Sequence, residues 1–389
     1  MEGWRKIFYA IGSSSEVYFD TLKLKLRHRL GLNMNIHIVI YRTYANSNEL
    51  YLRGRVMLNK DIETTDRDTL WRNLENTYKR LTSVEISGAK LKVTFSNTVR
   101  EFYSDEDGYF ELAVPLVTPL PAEELWHHPV IELLEAPIPF KSPVTTRAEV
   151  MTPPSTSKFG IISDIDDTIL TTHAQSLLKS AYMTFTNNAY TRLPFEGVAA
   201  FYQALQKGNS GSEENPVFYV SSSPWNLYDL LVQFIEINGL PKGPLFLKDY
   251  GFTHKKFFTE SHGLHKPKQI RNILNAYPHL NFILIGDSGQ HDPEIYAEVI
   301  EESPGRILVS YIRDVSVDER DLEVKKIAEG TFGNNVEMIL AENSYTASKH
   351  AAAKGYINTE QLPFILADKK ADEKEKPLVE KIIEEEVKK

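Results

Sequence analysis

Three carboxylates fall within four positions at Asp164, Asp166 and Asp167, and Thr168 follows directly. Carboxylates this close repel one another once they leave water. A hard divalent cation with oxygen ligands relieves that repulsion and is the natural companion of such a cluster. The competing reading is a solvated acidic turn, so the rest of the chain must supply partners. Three later stretches offer them. Ser221-Ser222-Ser223-Pro224-Trp225 carries hydroxyls and backbone amides. His265-Lys266-Pro267-Lys268 places cations at a helix start. Gly286-Asp287-Ser288-Gly289-Gln290-His291-Asp292 adds two carboxylates. Each alone has a bland reading, as a turn, a solvated helix start or a loop.

Together these residue types suit phosphoryl transfer. A carboxylate can attack as nucleophile and form an aspartyl phosphate. A second carboxylate can donate and accept the proton. Hydroxyls, amides and a lysine can hold the phosphoryl oxygens, whose charge is the main thing to stabilise. Mg²⁺ keeps several waters and takes one or two protein carboxylates, which matches Asp164 and Asp287.

These residues need elements to hold them. Apolar runs at 159–163, 217–220, 281–285 and 306–311, with a weaker one at 243–247, read as strands. Helical patterns lie between them, which argues a parallel α/β sheet. In such a sheet, ligands sit beyond the carboxyl ends of the strands. The acidic, serine and glycine-aspartate stretches each follow an apolar run, so they share one address. Between the first two strands lie helical patterns at 174–190 and 198–206 and a polar loop at 208–215, an insertion small enough to act as a modest cap.

The four stretches resemble the actin-patch-associated phosphatidate phosphatases, a lipin-related branch of the haloacid dehalogenase superfamily. Asp164-Ile-Asp166-Asp167-Thr168 is similar to that superfamily's first motif, and the resemblance covers roughly residues 150–355. It implies that Asp164 is the nucleophile and a metal ligand, and that Asp166 is the acid/base and offers its backbone carbonyl to the metal. Thr168, Ser221, Ser222 and Lys266 would contact the substrate. Mg²⁺ would be held by Asp164, Asp166 and Asp287, with Asp292 supporting directly or through water. Lys268 competes with Lys266, because the Lys-x-Lys run shifts the match by two residues. Asp167 is read as structural. His173, His265 and His291 are read as polar neighbours without a chemical step, and Trp225 as packing rather than lipid-facing.

The fold expected is therefore α/β: a haloacid dehalogenase-like parallel sheet with a small helical cap, preceded by an N-terminal antiparallel β-sandwich. The sandwich rests on apolar or alternating runs at 36–41, 50–57, 84–87, 89–95, 99–103 and 109–114. Asp105-Glu106-Asp107-Gly108 between two of them reads as a hairpin turn, since it lacks a calcium-loop pattern. One helix is expected there, with Trp71, Leu74, Tyr78 and Leu81 on one face. This half resembles the small transthyretin-like modules attached to some bacterial enzymes. The division expected is a basic N-terminal segment at 1–34, the sandwich at 35–140, a proline-rich linker at 141–158, the phosphatase domain at 159–360 and a charged tail at 361–389.

Bulk properties narrow the function classes. The chain has 389 residues, 42% apolar and 25% charged, which suits several packed cores. A net charge of -9 argues against nucleic-acid binding, which needs a basic footprint. The absence of cysteine excludes disulfides and thiolate chemistry. No window approaches the roughly 18 apolar residues of a spanning helix, and the N-terminus lacks a secretory pattern, so the chain reads as cytoplasmic. Leu22-Lys-Leu-Lys-Leu-Arg-His-Arg-Leu30 alternates apolar and basic residues. It reads as an aggregation-resistant edge strand or as a peripheral contact with an anionic membrane. Three functions stay open: a Mg²⁺-dependent phosphatase acting on phosphatidate, one acting on a soluble phosphomonoester, and a binding protein whose sandwich works beside a vestigial site.

Overall fold

The structure is a computed structural model, and it describes residues 35–59, 85–141, 143–165, 197–248, 265–314 and 318–372. The basic stretch at 22–30, the helices expected around Trp71 and at 174–190, and Asp166, Asp167, Thr168 and His173 lie outside the described residues, as does 373–389.

Ten strands come first among the described residues: β1 (Asn35–Ile40), β2 (Thr43–Tyr44), β3 (Glu49–Asn59), β4 (Lys90–Phe95), β5 (Thr98–Tyr103), β6 (Tyr109–Pro115), β7 (Trp126–His127), β8 (Val130–Glu135), β9 (Thr145–Arg147) and β10 (Val150–Met151). β1, β3 and β6 form one antiparallel sheet, and β5, β4, β8 and β9 form another. Alternate side chains of a strand face one side. Ile36, Ile38, Leu50 and Leu52 of the first sheet therefore share a core with Leu91, Val93, Ile131 and Leu133 of the second. The Asp105–Gly108 turn closes on itself. Asp105 Oδ1 accepts the N–H groups of Asp107 and Tyr109 at 2.9 and 2.8 Å, and Gly108 has φ of 73°, which the glycine tolerates. At 84–87 the described residues show one bridge, between Glu85 and Met57. The proline-rich stretch at 141–158 is pinned rather than loose. Its prolines leave two short runs, β9 and β10, and β10 pairs with both β2 and β7.

Beyond it follow β11 (Phe159–Asp164), α1 (Val198–Lys207), β12 (Val217–Pro224), α2 (Tyr228–Ile237), β13 (Leu245–Lys248), α3 (His265–Ala276), β14 (Asn281–Asp287), α4 (Asp292–Glu302), β15 (Ile307–Arg313), α5 (Asp318–Thr331), β16 (Glu337–Ala341), α6 (Ser344–Ala353) and α7 (Leu362–Asp372). The six strands form one parallel sheet in the order β13-β12-β11-β14-β15-β16. Apolar cores cover both of its faces, as a parallel sheet requires. β16 goes beyond the strands read from the sequence. Its run of Met, Ile, Leu and Ala has little β-branching to mark it.

α1 packs its buried Phe201, Tyr202 and Leu205 on the sheet, so the 198–206 part of the expected cap is a packed helix and not a cover. α7 opens the stretch read as a charged tail. It buries Ile365, and its carboxylates cap α1: Asp372 Oδ2 accepts the Gly197 N–H at 2.7 Å and Asp368 Oδ2 the Ala200 N–H at 3.1 Å. α1 begins at Gly197, which has no side chain to cap it, so the caps come from elsewhere. No helix among the described residues is long and apolar enough to cross a membrane.

The chain runs outward from β11 through β12 to β13, then returns to place β14 on the other side of β11. The reversal between β11 and β14 opens a crevice at their carboxyl ends, the usual place for a ligand in such sheets. The two halves of the chain also meet closely. The Arg42 N–H donates to Tyr228 Oη at 2.6 Å, and its guanidinium pairs with Glu149 at 2.7 Å and with Glu236. Tyr277 Oη donates to the Ala45 carbonyl at 2.9 Å, and Tyr41 lies 4.5 Å from Trp225, ring centre to ring centre.

β11 fits at the centre because Gly160 lies in register with Phe282, whose ring occupies the space a Cβ would take: that atom would fall 2.4 Å from Phe282 Cε1. Gly160→Val overpacks this contact. It should lower stability by about 1–3 kcal/mol in urea unfolding.

Candidate active site

Register puts the polar residues together. Asp164 is opposite Val220, so Ser221 stands one residue past that pair. Ser163 is opposite Ile285, so Asp287 stands two residues past it. Asp164, Ser221 and Asp287 thus sit at the carboxyl ends of three adjacent strands. β11 is buried along its length, and Asp164 is only 4% exposed. Ser163, just before it, exchanges a 2.7 Å hydrogen bond with Tyr202 of α1, which fixes the strand end from the helix side.

Asp292 begins α4 and is fully buried. Its Oδ2 accepts the Asp287 N–H at 3.1 Å. Gly286 makes room for this: a Cβ there would lie 2.5 Å from Asp292 Oδ2. Asp287 Oδ1 accepts the N–H groups of Gly289 and Gln290 at 2.8 and 3.0 Å, a tight turn that holds the loop. Ligand atoms of Asp164, Asp287 and Asp292 all lie within 4.8 Å of one another.

Lys266, in the first turn of α3, enters this group and is itself buried. Its Nζ lies 2.8 Å from Asp164 Oδ1 and 3.0 Å from Asp292 Oδ1, and it donates to Gln290 Oε1 at 3.0 Å. Lys268, two residues on, is exposed and points elsewhere on the helix. Of the two lysines, Lys266 is the one that reaches the carboxylates. Among the described residues one amine faces three carboxylates, so their negative charge is in excess. Burial, with the charge of Asp292 adding to it, pushes the Asp287 carboxyl up to about 6; Lys266 and the two backbone N–H groups oppose the shift. An excess of buried carboxylate oxygen is the donor chemistry that a hard divalent cation such as Mg²⁺ takes, so these residues fit one.

On the β12 side, Ser221 is fully buried and its Oγ accepts the Ser223 N–H at 2.9 Å. Ser222 is half-buried, and Trp225 is buried against Tyr41 and Tyr228. The structure therefore brings together Asp164, Ser221, Ser222, Lys266, Asp287 and Asp292 at one end of the sheet. Asp166 and Thr168 lie outside the described residues. His265 is buried beside Lys266.

A support from outside the motifs escaped the sequence reading. Arg320 of α5 donates Nε to the Ser288 carbonyl at 3.1 Å and Nη2 to the Gln290 carbonyl at 2.9 Å, and grips Glu294 with both ends of its fork at 2.7 and 2.8 Å. It clamps the Asp287–Asp292 loop from outside, and no local pattern links residues so far apart. Lys248 is also buried, at the end of β13 opposite Pro224 of β12.

Fold and site together describe an open parallel sheet with an acidic, lysine-braced centre at its switch point, the class of an α/β catalytic domain. Residues 159–314 match the family described as phosphatidate phosphatase APP1, catalytic domain. Among curated proteins, phosphatidate phosphatase APP1 of Saccharomyces cerevisiae is 36% identical over 163 residues, 42% of this chain and 27% of the relative. An uncharacterized protein of Schizosaccharomyces pombe is 29% identical over 159 residues, 41% of this chain and 25% of that protein. The chain thus matches about a quarter of the length of these relatives. A solved carbohydrate acetylesterase from Xanthomonas citri aligns over 77% of this chain and 76% of its own at 10% identity, with a TM-score of 0.24, too low to bear on the fold.

The raised Asp287 carboxyl has a consequence for stability. Its folded pKa exceeds the unfolded value, so the folded state binds the extra proton between about pH 4 and 6, and its contribution to stability falls as pH rises through that window. Without divalent cations, Asp287→Asn should therefore stabilise the protein at pH 7 by on the order of 2–3 kcal/mol and leave it unchanged near pH 4. Urea unfolding in chelator at both pH values measures this. A loss of stability at pH 7 would refute the excess-charge account.

Proposed function

We propose that this chain is a Mg²⁺-dependent phosphatidate phosphatase that converts phosphatidate to diacylglycerol and phosphate through an aspartyl-phosphate intermediate. The observation that carries this reading is the buried Asp164–Lys266 pair at the switch point, inside the segment similar to the APP1 catalytic domain. A sheet of this order, with an acidic residue ending its central strand, supports a haloacid dehalogenase-like fold for residues 159–360. The shared core of the two antiparallel sheets supports a β-sandwich at 35–140, between a basic, amphipathic N-terminal segment at 1–34 and a connection at 141–158.

In this mechanism an Asp164 oxygen attacks phosphorus, and the bond from phosphorus to the glycerol oxygen breaks. Asp166 gives its proton to the departing alkoxide. A water then attacks the aspartyl phosphate and loses a proton to Asp166, and phosphate leaves as the Asp164 carboxylate is restored. Lys266 orients Asp164 before attack and, with Thr168, Ser221 and Ser222, holds the phosphoryl oxygens. Asp164, Asp287, Asp292 and the Asp166 carbonyl would hold Mg²⁺, which when bound neutralises charge on the transferring group. Burial of this centre strengthens each of these interactions relative to water.

Phosphate release from phosphatidate vesicles in MgCl₂ tests the proposal. Asp164→Asn should lower turnover by at least about a thousandfold while the fold, read by circular dichroism, persists. Release from sugar phosphates or nucleotides but not from phosphatidate would move the substrate to the soluble class. Release that ignores Asp164 would remove the mechanism.

A further inference from the structure

A cavity of about 590 Å³ lies where the two halves of the chain meet, between β2, β3 and β6 on one side and β13 and α3 on the other. Its volume falls in the range of small-molecule sites, and such sites favour the junctions of structural units. It adjoins the candidate active site through the chain itself. Trp225 in its wall follows the Ser221–Ser223 stretch, and His265 in its wall directly precedes Lys266. Consecutive Cα atoms are about 3.8 Å apart, so the wall stands within one to three residues of groups assigned to the phosphoryl end.

The lining has two characters. Tyr44 stacked on Tyr51 at 4.6 Å, together with Phe246 and Leu112, gives apolar surface. Arg42 and Arg53 give nitrogen donors, yet both guanidiniums are held in ion pairs, Arg42 with Glu149 and Glu236, Arg53 with Glu111 at 3.0 Å. Their charges are compensated within the protein, and Lys268 of α3 adds a further cation at an exposed position of the wall. Gln269 and Asn272 of α3 add uncharged amide donors to the wall. A molecule with carbonyl acceptors and an apolar body satisfies both characters at once.

We propose that this cavity receives the glycerol-ester portion of the phospholipid substrate, the part that is not transferred. Its ester carbonyls meet the wall's N–H donors, and its first methylenes lie on the tyrosine and phenylalanine surface. The N-terminal half thereby supplies the specificity wall of the site. This assignment rests on the phosphatidate reading above. A polar void of this kind otherwise holds solvent.

The test fills the cavity from two independent walls in the full-length protein. Ala113→Trp enters from β6, and Asn272→Trp from an exposed position of α3. Both are made in the Asp164→Asn background, which should bind without turnover. Calorimetry in MgCl₂ then measures dioctanoyl phosphatidate and, separately, inorganic phosphate. Each filled variant should lose about tenfold or more in lipid affinity and keep phosphate affinity within about twofold. Thermal unfolding checks that each variant is folded; if Ala113→Trp is not, Asn272→Trp carries the test, because its site is exposed. Unchanged lipid affinity makes the cavity a solvent-filled gap and overturns the assignment. Equal losses for both ligands overturn it too, because the effect then travels through the acidic centre. So does an Asp164→Asn protein that binds no lipid. The phosphatase reading stands or falls separately, on wild-type turnover.

Discussion

The amine of Lys266, buried among Asp164, Asp292 and Gln290, is the contact on which this end of the sheet depends. Burying ionised carboxylates without compensation costs several kcal/mol each. One ammonium group offsets part of that cost, and backbone N–H groups offset more. What remains uncompensated appears as the raised carboxyl of Asp287. The centre's own electrostatics thus favour a cation.

That arrangement constrains everything around it. Asp292 must fold back onto the Asp287 N–H, so position 286 can carry no side chain. The loop between them must keep its shape, and Arg320 clamps two of its carbonyls from a different helix. Asp164 must end a strand that is buried on both faces, which requires Gly160 to yield its space to Phe282 and Tyr202 to meet the hydroxyl of Ser163. These supports act through the residues that face the reacting groups, and they tie the centre to helices on both sides of the sheet.

The N-terminal half is joined to this framework more tightly than two beads on a string. Arg42 bonds to Tyr228 and Glu236 of α2, Tyr41 packs against Trp225 with its ring tilted by 31°, and Arg53 lies over the same indole at 4.2 Å from its centre. Trp225 directly follows the segment that bears Ser221–Ser223. The antiparallel sheets therefore bear on the stretch after β12, and the cavity between the halves is bounded by strands that a fold reading of the α/β half alone would leave out.

Much of this was legible in the sequence, for a simple reason. Strands of a parallel sheet buried on both faces are continuous apolar runs, and residues just past them must lie at one edge. The runs ending near Asp164, Val220 and Ile285 accordingly placed Asp164, Ser221 and Asp287 together. Alternation marked most of the antiparallel strands, because one face of each is wet. Long-range choices were another matter. Whether Lys266 or Lys268 reaches Asp164 depends on the rotation of α3, which the sheet sets. That α7 caps α1 with Asp368 and Asp372 depends on packing across more than 160 residues of chain, where local composition read only a charged tail. The clamp by Arg320 and the cavity at the junction belong to the same kind. Local periodicity determines what each segment can bury, whereas only tertiary packing decides which distant groups meet there and share one charge balance.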